Sequence, residues 1–534
     1  MRPPERIEIN TSGLEQILDR AIMADDDRAT MQAAIDTLAF VTQQLEAKRV
    51  SVRKLQRIIF GAKTEKTRNV IGSAAADAAK PTADTSSQQA AGPRKGHGRN
   101  GANAYRGAQR ISVAHASLRA GDDCPKCEAG KLYRLSVPKR IVRINGVAPI
   151  LGKLYELERL RCNTCGALFS AEEPDDIGDE KYDTTVALLI AVLKYGLGMP
   201  FYRLARLQQS IGVPLPPSTQ WEVLHAHIAG PAAAYDELVR QGAQADLVHN
   251  DDTVAKVLAL LAHKGKVADA DTSTSKGRER TGIFTSGIVA IKGTLRIALF
   301  FTGRQHAGEN LADVLRHRAS DLEPPIHMCD AVSRNLPGEF KTVLCNCLAH
   351  GRRGFVDVFN SFPDECRHVL ETLRDVYRAD ELARRRKLSP AERLAWHQKH
   401  SAPLINDLEL WMKGQIDQKK VEPNSGLGEA IAYMQNHWHE LTQFLRVPGA
   451  PLDNTIVERA LKRVILHRKN AMFFKTQNGA HVGDIFLSLI HTAELCGANP
   501  VDYLHALMNN ATLVADCPSQ WMPWNYQQAL ALAA

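Results

Sequence analysis

No run of this 534-residue chain approaches the ~20 consecutive apolar residues that a membrane-spanning helix needs, which argues against a bilayer protein. The opening residues, Met1-Arg-Pro-Pro-Glu5, lack the apolar stretch of a secretory signal, so a cytoplasmic location is expected. Aromatic residues make up only 6%, too few for base stacking to be the main binding mode. Ten cysteines in a chain of this length do not make a disulfide scaffold. Acidic residues are missing altogether between Asp84 and Asp122.

What is present is ordinary globular material, 44% hydrophobic and 24% charged, long enough for three or four folded units at ~150 residues each. Lys and Arg number 67 against 59 Asp and Glu, a net +8 that permits nucleic-acid binding without requiring it. Within 1–70, apolar residues recur at three-four spacing from Met31 through Ala34, Leu38, Val41 and Leu45, then at Val52, Leu55 and Ile59, with Lys48 breaking the seam. That pattern predicts a coiled coil or, as the plainer alternative, a helical hairpin packed on its own chain. From 71 to 119 the chain turns to Ala, Ser, Thr, Gln and Gly, then to a basic tract with Arg94, Lys95 and Arg99. Such a segment reads as a flexible arm for phosphate contacts or as a solvated linker.

Residues 120–170 carry Cys124-Pro-Lys-Cys127 and Cys162-Asn-Thr-Cys165. Two such pairs can close a tetrahedral zinc site, and four thiolates leave no open position, so the site would be structural. Residues 171–240 read as three short helices, Thr184–Tyr195, Phe201–Ile211 and one capped by Ser218, in a layout resembling a helix-turn-helix. Residues 241–355 switch to apolar strands at Leu247–His249, Ile283–Ile291, Leu295–Thr302, Ile326–Cys329 and Val343–Cys347, with a helix over Leu311–Arg318. A helical insertion is expected over 356–446, a return to the core over 447–510 and a tail over 511–534. The expected class is multidomain α+β.

Acids sit at the ends of these elements. Asp251 and Asp252 follow one strand, Asp330 follows another, and Glu458 lies on a helix starting near Asp453. Three carboxylates converging there could hold two divalent cations for in-line attack on a phosphodiester, hard oxygen ligands favouring Mg²⁺ or Mn²⁺. Each acid also has a plain reading: Asp251, Asp252 and Asp330 as turn residues, and Glu458 as the fourth residue of a capping box starting at Thr455 or the partner of Lys462. Arg459, Lys462, Arg463, His467, Arg468 and Lys469 surround Glu458, and His350, Arg352 and Arg353 follow the last strand, placing basic groups where phosphates would lie.

These motifs together resemble those of the TnpC-type transposases of the insertion-sequence-sixty-six family, bacterial DDE transposases. The resemblance rests on Phe60-Gly-Ala-Lys-Thr-Glu-Lys66, the four-cysteine module, His249-Asn-Asp-Asp-Thr253, Met328-Cys-Asp330, Cys347-Leu-Ala-His-Gly-Arg-Arg353, Pro451-Leu-Asp-Asn-Thr-Ile-Val-Glu-Arg459 and His467-Arg-Lys-Asn470, in that order. It implies an RNase H-like core with Asp251, Asp330 and Glu458 as catalytic metal ligands, using Mg²⁺ or Mn²⁺ with structural Zn²⁺ at the cysteines. Implied partners are DNA at element ends and target, a second copy of the chain, and small companion proteins of the element, all in the bacterial cytoplasm at the nucleoid. Asp252 stands where the family has Glu, so either adjacent acid could be the first ligand. Two other readings compete: a zinc-containing DNA-binding regulator without activity, and a nuclease without strand transfer.

Overall fold

The computed structural model describes residues 119–123, 131–132, 149–161, 168–170, 180–262 and 282–533, together with Arg28, Met31, Gln32 and Ser117. These fall into two units, one holding Arg28, Met31, Gln32 and the described residues from Gly152 onward and the other those between Pro81 and Leu151. Most of the predicted coiled coil, Arg94, Lys95 and Arg99 of the basic arm, and Cys124, Cys127, Cys162 and Cys165 lie outside the described residues. Both cysteine pairs are nonetheless bracketed by antiparallel pairing. Asp123 bridges Lys131 across the first, and β1 (Arg159–Arg161) pairs with β2 (Leu168–Ser170) across the second.

The core is a five-stranded mixed sheet of β3 (Leu247–Val254), β4 (Phe284–Lys292), β5 (Leu295–Gly303), β6 (Ile326–Cys329) and β7 (Val343–Asn346). Its order is β5-β4-β3-β6-β7, with β5, β4 and β3 antiparallel and β3, β6 and β7 parallel. The short Lys292–Leu295 connection closes the β4–β5 hairpin through Gly293, whose φ of +57° suits a residue without a Cβ. Asp251 and Asp252 do not follow β3, as expected from their polarity, but lie within it. Pairing with β4 continues through Val254 opposite Phe284, and a strand's ladder tolerates polar residues as long as its partner persists.

Before the sheet come α1 (Thr184–Ala191), α2 (Phe201–Ser210), α3 (Pro217–Ala226) and α4 (Ala229–Gly242). The three expected helices are therefore present, with two differences. The first ends in a π turn over Val192–Gly196 that seats Tyr195 in the core. The third starts at Pro217 rather than from a Ser218 cap, because proline at the first helical position needs no N–H partner. A short helix, α5 (Leu258–Ala262), follows β3. Between β5 and β6 the expected helix is α6 (Ala307–Leu315), slightly earlier than its apolar pattern suggested.

After β7 the helical insertion runs α7 (Leu348–Val358), α8 (Pro363–Arg385), α9 (Pro390–His400), α10 (Ala402–Asp417), α11 (Gly426–Asn436) and α12 (Trp438–Leu441). Phe355, Val369, Leu373, Met412, Ile431 and Phe444 form its own core, continuous with Met328 and Cys345 of the sheet. The chain then returns through α13 (Thr455–Ala471), α14 (Gln477–Leu495), α15 (Pro500–Asn509), α16 (Ala511–Asp516) and α17 (Tyr526–Ala533). The last segment is packed rather than trailing: Trp521, Met522 and Tyr526 are buried and Tyr503 donates its hydroxyl to the Trp521 carbonyl. Among the described residues no helix is long and apolar enough to cross a membrane.

The outer strand β5 has a free edge, which would leave its amides unpaired. Helix α14 covers it with a polar stripe at four-residue spacing. Thr492 accepts from the Ala298 N–H, Ser488 from Phe300 and Asp484 from Thr302, at 3.0, 3.0 and 2.7 Å. Residues four apart share one helix face and alternate residues share one strand edge, so the two periods match over this contact.

Candidate active site

Alternation along β3 sends Asp251 and Asp252 to opposite faces of the sheet. On one face Gly287, the register partner of Asp251 on β4, is bare. A Cβ there would stand 3.0 Å from Leu461 and 3.2 Å from Val457, so the missing side chain lets α13 settle against the sheet beside Asp251. Val457 and Leu461 flank Glu458 on that helix, so the same close approach brings Glu458 to the strand.

The third acid arrives by register. His249 of β3 lies opposite Met328 of β6 in parallel pairing, and Asp330, two residues further, leaves the end of β6 beside Asp251. Asp330, Asp252 and Glu458 all act on Asp251 through their charge. Together with burial, which is the larger cause, they push its carboxyl up to about 7. Asp251 thus stands within electrostatic reach of Asp330 and Glu458, the other two acids of the expected triad.

Buried amides hold this geometry. Asn454, fully buried at the start of α13, accepts from His249 Nδ1 at 3.0 Å and donates to the Asn250 carbonyl at 2.9 Å, while its backbone N–H points to Cys347 Sγ at 3.2 Å. Burial holds His249 down near 4, so it is neutral and keeps a single N–H for this bond. Asn335 donates to the Asp330 carboxylate, and its carbonyl in turn accepts from Asn250. Asn250 also accepts from His327, which burial holds near 3. The capping box predicted at Thr455 is not formed: the helix is entered from Asn454, whose side chain bonds β3, and Glu458 Oε1 makes no hydrogen bond.

Asp252 is engaged elsewhere. Its side chain is 3% exposed, accepts from His306 Nδ1 at 2.8 Å and lies 3.6 Å from the Arg334 guanidinium. Glu458 is the contrary case: its Oε1 is buried without a hydrogen-bond partner, 3.9 Å from His350 Nδ1.

Of the basic residues, Arg459, Lys462 and Lys469 are exposed. Arg463 pairs with Glu494, and Arg468 bonds the Thr253 hydroxyl and the Val254 carbonyl at the end of β3. His467 does not belong to the basic group. It is buried between Tyr195 and Phe474, and burial depresses it to about 3, so it is neutral packing. His350, Arg352 and Arg353 lie in the first two turns of α7, each partly buried. Sequence reading missed Gly287, His306, Arg334, Asn335 and Asn454, whose partners lie up to 205 residues away.

Comparison with known families adds the decisive observation. The model of the Transposase IS66 family matches residues 182–482, a span that contains the sheet, all three acids and the whole helical insertion.

The chain belongs to the IS66 transposase family. Among relatives, the uncharacterized protein y4jD of Sinorhizobium fredii is 27% identical over 422 residues, covering 75% of this chain and 78% of the relative. The uncharacterized protein y4hP of the same organism is 26% identical over 397 residues, covering 70% and 68%. No solved structure matches this chain.

Proposed function

We propose that this IS66-family transposase cuts the ends of its element and joins them to target DNA at a site built from Asp251, Asp330 and Glu458 on an RNase H-like core. The observation that carries the reading is the convergence of three acids from two strands and a distant helix, with a buried Glu458 oxygen left unpaired. Like charges crowded in a partly buried site are costly unless a cation or a proton joins them. The donor set, all carboxylate oxygen, suits Mg²⁺ or Mn²⁺. When bound, such cations supply charge neutralisation at the phosphate and a more acidic attacking hydroxyl.

The chain's own residues prepare that site. Asn335 orients Asp330, Asn454 fixes the start of α13 against β3, and Asp252, tied to His306 and Arg334, anchors the opposite face. With Asp252 so engaged, Asp251 is the first ligand in this reading. Exposed Arg459, Lys462 and Lys469 lie on the Glu458 helix and would hold the phosphate backbone, with Arg94, Lys95 and Arg99 of the arm adding further contacts. The reaction needs no outside energy source: water replaces one ester oxygen at the element end, and the freed 3′-hydroxyl then displaces another at the target. The four cysteines would hold a structural zinc, and the N-terminal heptads would pair two subunits so that two ends are joined together.

The test is Mg²⁺-dependent cleavage and joining of a labelled element-end duplex, wild type beside Glu458→Ala. Products made by the wild type and absent with the variant are expected. Tight end binding without chemistry from the wild type, even with the element's companion proteins added, would favour the zinc-containing regulator. Cleavage without joining would favour the nuclease.

A further inference from the structure

Two donors beside Glu458 have no place in a magnesium site. Cys347 caps the start of α7 and His350 follows one turn later, so both lie on the side of that helix facing α13. Cys347 Sγ, a ring nitrogen of His350 and a Glu458 oxygen all lie within 4.8 Å of one another. The His350–Glu458 distance of 3.9 Å is too long for a hydrogen bond, and both atoms are buried without any such partner. Two adjacent orphaned polar atoms, each able to bind a cation, call for a common occupant. The sulfur receives the Asn454 N–H, the kind of donor that supports a ligating thiolate.

We propose that Cys347, His350 and Glu458 form a second metal site, for a zinc-class divalent ion, next to the acidic cluster. Thiolate and imidazole favour zinc and disfavour Mg²⁺, which keeps to oxygen. Three protein ligands leave one of four tetrahedral positions open to water. Closing the site needs the ligand atoms to contract by about 1 Å, within the reach of side-chain rotation at His350 and Glu458. The ion would tie α7 to α13 and share Glu458. That zinc would then compete with Mg²⁺ for this carboxylate is a consequence that rests on the proposed function; the existence of the site does not.

The test counts metal in the full-length chain. Wild type, His350→Gln and Cys347→Ser are dialysed against trace zinc, freed of loose metal and measured by elemental analysis, with thermal melting as the check of folding. Any zinc at the four-cysteine module is common to all three. Wild type is expected to retain one zinc per chain more than either variant. Equal zinc in wild type and a folded His350→Gln protein overturns the site. His350 is a quarter exposed, so its substitution decides the matter if the Cys347 variant, altered in the core, fails to fold. Because no DNA chemistry is read, failure of the transposition assay would leave this result standing, and the reverse.

Discussion

Asp251 and Asp484 are both carboxylates that burial pushes up to about 7, yet they do opposite things. Asp484 is satisfied: both oxygens accept from Thr302, one from its N–H and one from its hydroxyl, each at 2.7 Å, and they close the edge of β5. Asp251 has only the N–H of its neighbour Asp252 at 2.8 Å and faces further carboxylates that raise it again. The same shift therefore marks a structural group in one place and a site in the other. What separates them is whether the surroundings answer the charge with donors or repeat it.

Breaking each acid should expose that difference. Asp251→Asn is expected to lose all detectable cleavage and joining while melting at or above the wild-type temperature, since a repulsive charge is gone. Asp484→Ala is expected to cost about 1–3 kcal/mol, because the Thr302 N–H is left buried without a partner, and to retain activity wherever it is folded. Denaturant unfolding and the duplex assay on both variants check the pair. Loss of stability with Asp251→Asn, or loss of activity from folded Asp484→Ala, would erase the distinction.

A smaller effect is expected at Gly287→Ala, which removes no charge from either acid. The added methyl meets Leu461 and Val457 and pushes α13 outward, at a cost of about 1–3 kcal/mol and a fall in turnover larger than any change in DNA binding. Comparing turnover with duplex affinity in the variant checks this. Unaltered turnover would mean that the spacing of α13 from β3 does not set the position of Glu458.

Much of this architecture was legible in the sequence. Apolar runs located all five core strands, because strands buried on both faces advertise themselves without any partner being known. Asp251, Asp252 and Asp330 stood out for the same reason, as charges ending such runs, whereas Glu458 showed only as an acid on a helix amid basic residues. Strand ends were harder: Asp251-Asp252-Thr253 looks like a turn until β4 is seen pairing alongside it. His467 was grouped with its basic neighbours because burial between Tyr195 and Phe474 is not a local property. Gly287 and Asn454 were invisible since their significance is a contact across distant segments. The Asp484, Ser488, Thr492 stripe was a signal within reach, a polar line at four-residue spacing through the buried stretch of a helix.

The slightest effect carries the most direct test. Asp251 and Asp484 ionise near 7 when folded and near 3.8 when unfolded, so the folded chain holds the extra protons. Each contribution lowers stability as pH rises from about 4 through 7 and is constant above that. Removing either acid should flatten the slope, but only the Asp251 share should yield to a cation. The decisive measurement is the melting temperature of the full chain at pH 8 with and without Mg²⁺, for wild type, Asp251→Asn and Asp484→Asn. Stabilisation by Mg²⁺ in wild type and Asp484→Asn, and its loss in Asp251→Asn, is the expected result. Equal stabilisation of all three would show that Asp251 holds no cation and would contradict the account.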